Sequence, residues 1–417
     1  MTQPSTRILV LGGGIAGLLF TLRLSGKVAH ESVQITLVNE SDIFTIRPWL
    51  HEYATHQRAF DRMLPQILRK APVQFLQGRV TAIDSDQRRV TVRDQQQQQQ
   101  ELSYDCLVYA LGSTPERQNV PGVAQYAYSL EARGPLSASA LREKLPDLGS
   151  NGGRVVVCGA GATGIETAAQ VASIYPEIKV SLVTRGAFAH AWEEPVANIF
   201  RQRLVKLGVE IVDQSEVMEV RPQSVVLDRG RELPCSLCIW TTGFVAPPLA
   251  RESGLAVNER GQILVDPFLR SVSHPQIYAI GDAAMPIRNP GVPHVRMSAY
   301  TASIMAAHCA DSLSDVLKGA TPKPLSFAYQ AQAVALGRGS ALFLPLSAED
   351  KPVSPYFAGR AGAFVREAFV RFVITATMSQ QRFPGMFMWF GKNRYEQQLE
   401  QNASVEGASL PSAHRPS

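Results

Sequence analysis

The distribution of apolar residues along this chain predicts the same structural unit twice. Residues 8–11 form a short apolar strand, a glycine cluster follows, and an apolar helix runs to about residue 25 before a second strand at 33–39. The order repeats about 145 residues later, with strands at 155–157 and 179–184 around another glycine cluster and helix. Strands that alternate with helices in this way are typical of a parallel sheet in an α/β fold.

The first apolar run, ILVLGGGIAGLLF at residues 8–20, has two interpretations. With Arg7 just ahead of it, the run resembles a secretory signal. Read as strand, glycines and helix, it resembles a dinucleotide-binding loop. Arg23 interrupts the apolar stretch, and no convincing small-residue cleavage site follows it. The second copy of the pattern therefore favours the nucleotide-binding interpretation.

Both copies carry the spacing Gly-x-Gly-x-x-Gly, which has a physical reason at each position. The first glycine allows a tight turn, the second lets the backbone approach a pyrophosphate, and the third lets helix and strand pack closely. The helix then directs its free N–H groups at the phosphates. Two copies in the same context predict two nucleotide sites. The glycines are Gly12, Gly14 and Gly17 in the first copy and Gly159, Gly161 and Gly164 in the second.

The segments between and after the two units are less regular. Residues 75–113 alternate apolar and polar positions, as a β-meander does, and the glutamine run 95–100 fits a flexible hairpin insertion. Residues 216–244 predict a second meander. From about residue 323 the pattern changes to strands and amphipathic segments, and the polar tail after about residue 398 is predicted to be disordered.

Composition narrows the class of protein. The chain has 417 residues, of which 45% are hydrophobic and 18% charged, so it can bury cores for two or three domains. The formal net charge of +5 is small and no dense basic block occurs, so we expect no nucleic-acid partner. The five cysteines are an odd, sparse set that favours a reducing compartment. No apolar stretch predicts a transmembrane helix, and we expect a cytoplasmic protein.

Three apolar strands that end in glycine-containing turns complete the pattern: YDCLVYALGS, CIWTTGF and HPQIYAIGDAA. With the two glycine motifs, over roughly residues 7–340, the chain resembles flavoproteins of the pyridine nucleotide-disulfide oxidoreductase superfamily, in particular the type II NADH dehydrogenase-like branch. The resemblance implies an α/β fold with two Rossmann-like dinucleotide-binding domains and a C-terminal segment. The implied division is an FAD-binding domain at 1–120 and 263–325, an inserted NAD(P)-binding domain at 121–262, a C-terminal domain at 326–398 and a disordered tail at 399–417.

The resemblance also assigns residues to an FAD site. Asn39 and Glu40 end the second strand, and either would accept a hydrogen bond from the adenosine ribose. Taken alone, Arg47 is typical of a surface ion pair and Asp282 of a helix N-cap. In this ordered set they resemble residues that approach the flavin and bind its ribityl chain. The implied FAD-binding residues are Gly12, Gly14, Ile15, Ala16 and Gly17 at the pyrophosphate, Asn39 and Glu40, Arg47 and Pro48, Val80 by backbone contact with the adenine, Ala110 and Gly112 along the dinucleotide, and Gly281 and Asp282.

The second unit is assigned to NAD(P)H, the reducing substrate. Glu166 resembles a catalytic glutamate near the nicotinamide; the alternative is an acid in the first helical turn, which the helix dipole favours by about 0.3–1 kcal/mol. The second strand of this unit leads into Arg185 rather than an acid. An arginine there accommodates the additional phosphate of NADPH, which favours NADPH slightly unless Arg185 is only solvated. The implied coenzyme-binding residues are Gly159, Gly161, Gly164, Arg185 and Gly243.

The cysteines argue against a disulfide relay. No cysteine lies at residues 47–55, Cys158 is isolated, and Cys235 and Cys238 fall on a predicted strand where they point to opposite faces. No second pair completes a zinc site, so we expect no metal. The resemblance then implies an FAD-dependent NAD(P)H oxidoreductase that passes hydride to FAD and electrons directly to an acceptor such as a quinone.

Two alternative functions would also use a bound flavin. A sulfide:quinone-type oxidoreductase would need cysteines around the flavin and commonly lacks the second glycine motif. A non-catalytic, redox-responsive flavoprotein would bind coenzyme without turnover. Quinone-reducing relatives usually carry an Ala-Gln…Gln-Gln pattern after the Gly-Asp motif, but residues 294–313 contain no glutamine. The sequence alone therefore leaves the acceptor open.

The C-terminal region predicts an interface. One helical face within residues 360–378 carries apolar side chains with arginines beside it, and residues 382–392 add aromatic residues. The positions are Phe364, Ala368, Phe372 and Thr375 on the face, Arg360, Arg366 and Arg371 beside it, and Phe387, Trp389 and Phe390 after it. Such segments suit peripheral docking on the inner face of a membrane, as in relatives. The alternatives are packing on the FAD domain or on a second copy in a homodimer.

Overall fold

The structure, a computed structural model, describes residues 6–59, 62–290, 292, 295–347, 350–395 and 397. The helices of this part are short around the sheets and longer near the C-terminus. They are α1 (Ile15–Ser25), α2 (Leu50–Ala54), α3 (Leu64–Leu68), α4 (Val123–Tyr126), α5 (Ala138–Asn151), α6 (Ala162–Ile174), α7 (Glu194–Lys206), α8 (Leu249–Glu252), α9 (Ala299–Leu317) and α10 (Gly359–Ser379), with 3₁₀ turns at Arg47–Trp49, Asp228–Gly230 and Gly281–Ala283.

The strands alternate with these helices in both halves of the fold. They are β1 (Thr6–Leu11), β2 (Val33–Asn39), β3 (Val73–Gln77), β4 (Arg79–Asp84), β5 (Arg89–Arg93), β6 (Gln99–Ser103), β7 (Cys106–Tyr109), β8 (Thr114–Pro115), β9 (Ala127–Ser129), β10 (Arg154–Cys158), β11 (Lys179–Val183), β12 (Glu210–Val212), β13 (Val217–Arg221), β14 (Ser224–Leu227), β15 (Glu232–Pro234), β16 (Leu237–Trp240), β17 (Phe244–Val245), β18 (Ile263–Val265), β19 (Ile277–Ala279), β20 (Ala284–Pro286), β21 (Ala331–Ala335), β22 (Ala341–Pro345) and β23 (Phe357–Ala358).

The first sheet is parallel and has the strand order β19-β7-β1-β2-β3. Its central strand β1 pairs with both neighbours, so that Ile8 lies beside Ile35 on one side and Cys106 on the other. The edge strand β19 comes from much later in the chain, and its Ile277 pairs with Leu107 of β7. The sheet is therefore built from two separate segments, with α1 and α9 packed together beside it.

The second sheet is also parallel, with the order β12-β11-β10-β16-β9. All of its strands lie between residues 127 and 240, inside the interruption of the first sheet. The strands at its centre are apolar and buried, as in parallel sheets that helices cover on both faces. Two Rossmann-like sheets within one α/β chain agree with the predicted fold class, while the exact domain boundaries stay predictions.

The predicted meanders are only partly correct. Within residues 75–113, β4, β5 and β6 form an antiparallel sheet, but β3 and β7 join the parallel sheet instead. β7 is buried at all four positions, so its side chains need cover on both faces. The second meander likewise contains an antiparallel sheet, β13–β15, followed by β16 of the second parallel sheet. The glutamine run 95–100 ends inside β6, which begins at Gln99.

The C-terminal region adds a three-stranded antiparallel sheet, β21-β22-β23, and the long helix α10. α10 packs on β22 and on α1, and β21 packs beside α6 of the second sheet, so this region bridges both halves of the fold. Among the described helices, none has the length and apolar character that crossing a bilayer requires. The predicted disordered tail at 399–417 lies outside the described residues.

Candidate functional site

The turn after β1 has room only for glycine at two of its three motif positions. Gly12 has φ +102°, and a β-carbon there would lie 2.3 Å from the carbonyl oxygen of Ala110. At Gly17 a β-carbon would lie 1.8 Å from the carbonyl oxygen of Gly12. Both distances are far inside van der Waals contact, so any side chain would separate α1 from the sheet.

The middle position of this turn faces open space. Within the described part of the chain, no atom lies within 4 Å of a β-carbon built on Gly14, and no side chain accepts the free N–H groups of the first turn of α1, which Gly14 caps. Helix α1 begins at Ile15, and Ala16 is buried against the turn at Gly281. An open backbone with free N–H groups and the positive end of a helix dipole fits a dinucleotide pyrophosphate.

The end of β2 lies beside this turn. Asn39 accepts a hydrogen bond from the main-chain N–H of Gly13 at 2.7 Å and donates to the carbonyl oxygen of Ser41 at 2.6 Å. Glu40 is exposed, and its carboxylate lies 3.9 Å from Arg79. Asn39 thus braces the loop, whereas Glu40 presents a carboxylate to solvent. The assignment of one of them to the ribose stays a prediction.

Arg47 and Asp282 come together, although more than half the chain separates them. The guanidinium of Arg47 lies 3.8 Å from the carboxylate of Asp282. Ser113 bridges them, since Arg47 donates to its carbonyl oxygen at 2.9 Å and its hydroxyl donates to Asp282 at 2.7 Å. Sequence reasoning missed Ser113; its position directly after Gly112 of the ALG motif was the available signal.

The remaining residues assigned to FAD lie around the same edge of the first sheet. Gly112 and Gly281 have φ values of +71° each, and the main-chain N–H of Ala110 donates to Leu11 at 2.8 Å. Val80 is partly buried at the start of β4, next to a register shift in that strand. The carbonyl oxygen of Pro48 accepts a hydrogen bond from Arg366 of α10 at 3.1 Å.

The turn after β10 repeats the geometry of the first turn. Gly159 has φ +110°, and a β-carbon at Gly164 would lie 1.7 Å from the Gly159 carbonyl oxygen. Gly161 caps α6, and among the residues that the structure describes it faces open space and no side chain caps the helix. Thr241 stabilises the turn by donating its hydroxyl to the carbonyl oxygen of Cys158 at 2.8 Å. Gly243, with φ +63°, lies close to Glu116.

Arg185 follows β11 at the carboxyl edge of the second sheet. Its side chain is 80% exposed, and its guanidinium lies 3.6 Å from the carboxylate of Glu216. An exposed ion pair of this kind is worth about 0–1 kcal/mol, so the guanidinium is free to exchange that partner for a phosphate. The proposed selectivity for NADPH stays a prediction.

Glu166 lies in the second turn of α6, which begins at Ala162. The alternative interpretation, an acid in the first helical turn, is therefore wrong. Its carboxylate accepts a hydrogen bond from the main-chain N–H of Ala335 at 2.9 Å. It also lies 3.9 Å from the imidazole of His51 and 3.9 Å from the guanidinium of Arg366. Glu166 thus joins α6 to β21 and faces two ionisable side chains that sequence reasoning did not single out for this site.

These side chains form a buried ionic network between α2, α6 and α10. Glu52 accepts hydrogen bonds from Arg58 at 2.7 Å and from Arg366 at 2.8 Å. Burial acts to raise the pKa of the Glu52 carboxyl, but the positive charges of His51, when its imidazole is protonated, and of the two arginines outweigh it and hold that pKa below its usual value. Only the tertiary structure could reveal this network, because Glu166 and Arg366 are far in sequence from each other and from the segment 51–58.

His51 is the neutral member of the network. Burial lowers the pKa of its imidazole, against the opposing charges of Glu166 and Glu52. The Nε2 atom has no hydrogen-bond partner in the part of the chain that the structure describes. The imidazole therefore carries a buried polar atom beside two carboxylates.

Two expectations for the cysteines need correction. Cys158 is not isolated, because its sulfur lies 3.7 Å from that of Cys238 on the neighbouring strand β16. Cys235 precedes β16, so Cys235 and Cys238 do not share one strand. All five cysteines are buried and free, and burial raises the pKa of Cys235 to about 12, which makes a reactive thiolate unfavourable. Among the described residues, no cluster of ligands fits a metal.

The C-terminal helix presents its predicted apolar face to solvent. Phe364, Ala368, Phe372 and Thr375 are all exposed, so this face does not pack on the FAD domain. The expected exposure of Arg366 was wrong, because Arg366 is buried in the ionic network. Phe387 and Trp389 are buried in the core of the first sheet, which agrees with the alternative of packing on the FAD domain. We call the exposed set the C-terminal aromatic surface; its members are Phe357, Phe364, Phe372, Phe383, Met386, Met388 and Phe390.

Comparisons with known proteins agree with a chain that carries two dinucleotide-binding turns, one after β1 and one after β10. The family model described as pyridine nucleotide-disulphide oxidoreductase matches residues 6–310. The chain is 30% identical to demethylphylloquinone reductase of Synechocystis, over 82% of this chain and 87% of that protein. It is 30% identical to an NADH dehydrogenase-like protein of Mycobacterium tuberculosis over 67% and 73%. Type II NADH:quinone oxidoreductase of Staphylococcus aureus is 24% identical over 88% and 94%.

Solved structures share the fold at lower identity. NDH2 from Plasmodium falciparum in complex with NADH has a TM-score of 0.76 and 16% identity, covering 92% of this chain and all of that chain. Sulfide:quinone oxidoreductase from Aquifex aeolicus also has a TM-score of 0.76, with 17% identity and coverage of 91% and 93%. The chain therefore belongs to the pyridine nucleotide-disulphide oxidoreductase family, in its type II NADH dehydrogenase-like branch, and is an FAD-dependent NAD(P)H dehydrogenase.

Proposed function

We propose that this enzyme oxidises NAD(P)H with a quinone, in the overall reaction NAD(P)H + H⁺ + quinone → NAD(P)⁺ + hydroquinone. The observation that carries the proposal is the 30% identity to demethylphylloquinone reductase, which spans 82% of this chain and 87% of that protein. The similarity to type II NADH:quinone oxidoreductase over 88% of this chain points the same way. The missing glutamine pattern in residues 294–313 requires another way to hold the quinone.

The two glycine turns are proposed to hold the two dinucleotides. The loop of Gly12, Gly14 and Gly17 would take FAD, and its counterpart after β10 would take NAD(P)H, because each presents open backbone and free helix N–H groups. Arg47 and Asp282 would contact the flavin end of FAD. When bound, FAD would supply the redox chemistry, which is acceptance of hydride from the coenzyme and delivery of electrons to the acceptor. The chain positions both partners and needs no dithiol.

Two residues are proposed to tune this reaction. Arg185 favours NADPH, because an exposed guanidinium at the end of β11 can pair with the additional phosphate. Glu166 is proposed to act as the acid–base residue, because its carboxylate is partly buried near an imidazole and at the junction of α6 with the C-terminal region.

We also propose that the C-terminal aromatic surface docks on a membrane. Its side chains are exposed and apolar; Phe364, for example, is 76% exposed to solvent. Arg360, Arg371 and Arg382 lie among them in sequence, and Arg371 and Arg360 are exposed. Exposed aromatic side chains with arginines among them in sequence suit insertion between lipid headgroups. Docking would place the enzyme at the membrane, where a lipid-soluble quinone substrate is dissolved.

One experiment separates these statements. The purified protein is denatured to identify released FAD, and the native protein is then reduced anaerobically with NADH or NADPH and mixed with a naphthoquinone. We expect loss of the flavin absorbance on reduction and its return with the quinone. Protein that contains no FAD refutes the flavin site. A reduced flavin that ferricyanide reoxidises but naphthoquinone does not refutes the quinone acceptor and leaves the flavin site intact.

A further inference from the structure

Tyr300 lies where the helix after the Gly-Asp motif begins. It is the second residue of α9, whose N-cap is Ser298. Two residues further on, Ala302 packs on the Gly281 turn, since a β-carbon built on Gly281 would lie 3.4 Å from that of Ala302. The first turn of α9 therefore lies beside Asp282, at the edge of the sheet that carries the residues assigned to the flavin.

One turn of α10 connects Tyr300 to the loop that contains Arg47 and Pro48. Arg366 of α10 donates a hydrogen bond to the carbonyl oxygen of Pro48 at 3.1 Å. Phe369 follows three residues later, which is a rise of about 4.5 Å along a helix. The ring of Phe369 lies 5.9 Å from the ring of Tyr300, measured between centroids. One helical turn of α10 therefore spans from Pro48 to Tyr300.

The hydroxyl of Tyr300 is buried and has no hydrogen-bond partner among the residues that the structure describes. The neighbouring Tyr329 differs, because its hydroxyl accepts from the main-chain N–H of Arg296 at 2.9 Å and lies 3.1 Å from the hydroxyl of Thr301. A buried hydroxyl without a partner is unfavourable, and a bound molecule that accepts its hydrogen bond would remove that cost. Burial raises the pKa of Tyr300 to about 12, so the hydroxyl stays a donor throughout the neutral range.

We propose that Tyr300, whose ring lies beside those of Phe369 and Tyr329, donates a hydrogen bond to a carbonyl oxygen of the bound quinone. This inference rests on the proposed function. A quinone carries carbonyl oxygens that accept hydrogen bonds and a planar ring that packs against aromatic side chains. In the reaction the quinone gains two electrons and two protons to give hydroquinone, with the electrons coming from NAD(P)H. Tyr300 keeps its own proton and acts in binding alone.

The test compares Tyr300→Phe with Tyr104→Phe in the FAD-loaded enzyme. Tyr104 also has a buried hydroxyl without a partner in the described residues, but it precedes β7, at the opposite end of that strand from the nucleotide loops. Three quantities are measured: the rate of flavin reduction by NAD(P)H, the rate of reoxidation by menadione, and the rate of reoxidation by ferricyanide, which needs no such hydrogen bond. The Kd of menadione for the oxidised enzyme is measured by fluorescence titration.

For Tyr300→Phe we expect menadione binding and reoxidation to weaken by about 2- to 10-fold, the usual effect of one lost hydrogen bond. Flavin reduction, ferricyanide reoxidation and the melting temperature should match wild type, and Tyr104→Phe should match it in every measurement. Unchanged menadione binding and reoxidation in Tyr300→Phe would overturn the inference while the proposed function stands. Equal losses with menadione and ferricyanide would also overturn it, since they indicate a structural effect. A wild-type enzyme that reduces ferricyanide but not menadione removes the proposed function and this inference together.

Discussion

Arg366 donates a hydrogen bond to the carboxylate of Glu52 across 2.8 Å, and both side chains are largely buried. This contact ties α10 to α2, next to the loop assigned to the flavin. Arg366→Met removes the positive charge that offsets the negative charges of Glu52 and Glu166. The substitution should therefore lower the free energy of unfolding by about 3 kcal/mol. Arg371→Met is the control, because Arg371 is exposed and its pair with Glu367 is worth at most about 1 kcal/mol. Equal losses in denaturant titrations would contradict the network.

Glu166→Gln tests the proposed acid–base role. Glutamine keeps an oxygen that accepts from the N–H of Ala335 but cannot exchange a proton, so turnover with NAD(P)H and a quinone should fall about 100-fold. Glu177→Gln, which alters an exposed acid beyond the end of α6, should leave turnover unchanged. Steady-state kinetics and thermal melting are measured together. Full turnover in Glu166→Gln would reduce Glu166 to a structural link between α6 and β21.

Arg185→Glu tests the coenzyme preference. A carboxylate at this position can accept from the ribose hydroxyls of NADH and repels the additional phosphate of NADPH. We expect the ratio of kcat/KM for NADPH to that for NADH to fall at least about tenfold. Arg229→Glu changes another exposed arginine, beyond β14, and should not alter the ratio. An unchanged ratio in Arg185→Glu removes the proposed preference for NADPH.

The pair Phe364→Ser and Phe372→Ser tests docking of the C-terminal aromatic surface. Burying one phenylalanine side chain in an apolar environment is worth about 1.5–3 kcal/mol. The double variant should therefore bind anionic phospholipid vesicles at least about tenfold more weakly in sedimentation assays. Its turnover with menadione and its melting temperature should stay at wild-type values. If the double variant binds vesicles as wild type does but no longer forms a dimer that wild type forms, this surface contacts a second copy of the chain instead.

The buried imidazole of His308 should make the free energy of unfolding depend on pH. Burial lowers the pKa of its imidazole to about 4, from an ordinary value of 6.5. The unfolded chain then binds the proton more readily, so stability is full above pH 6.5 and falls as the pH drops towards 4, by about 3 kcal/mol at most. In His308→Gln this part of the loss should disappear from melts at pH 7 and pH 5. His30→Gln, which alters an exposed histidine, should keep the wild-type slope.

Local sequence determined the parts of this protein that depend on neighbouring residues. The glycine turns, the strands before them and the helices after them follow from spacing within a few residues, because only glycine tolerates the close approach at Gly12 and Gly159. The two nucleotide-binding units could therefore be placed from sequence, and the C-terminal face of Phe364 and Phe372 followed from helical periodicity.

Tertiary structure decided what distant residues do together. The sequence suggested that Arg366 faces solvent, but α2 supplies the buried carboxylate of Glu52 that pairs with it. In the same way, the partner of Cys158, the bridge of Ser113 between Arg47 and Asp282, and the unpartnered hydroxyl of Tyr300 depend on which elements meet. Side chains distant in sequence are paired or left unpaired by the packing of sheets and helices, and no local pattern records that packing.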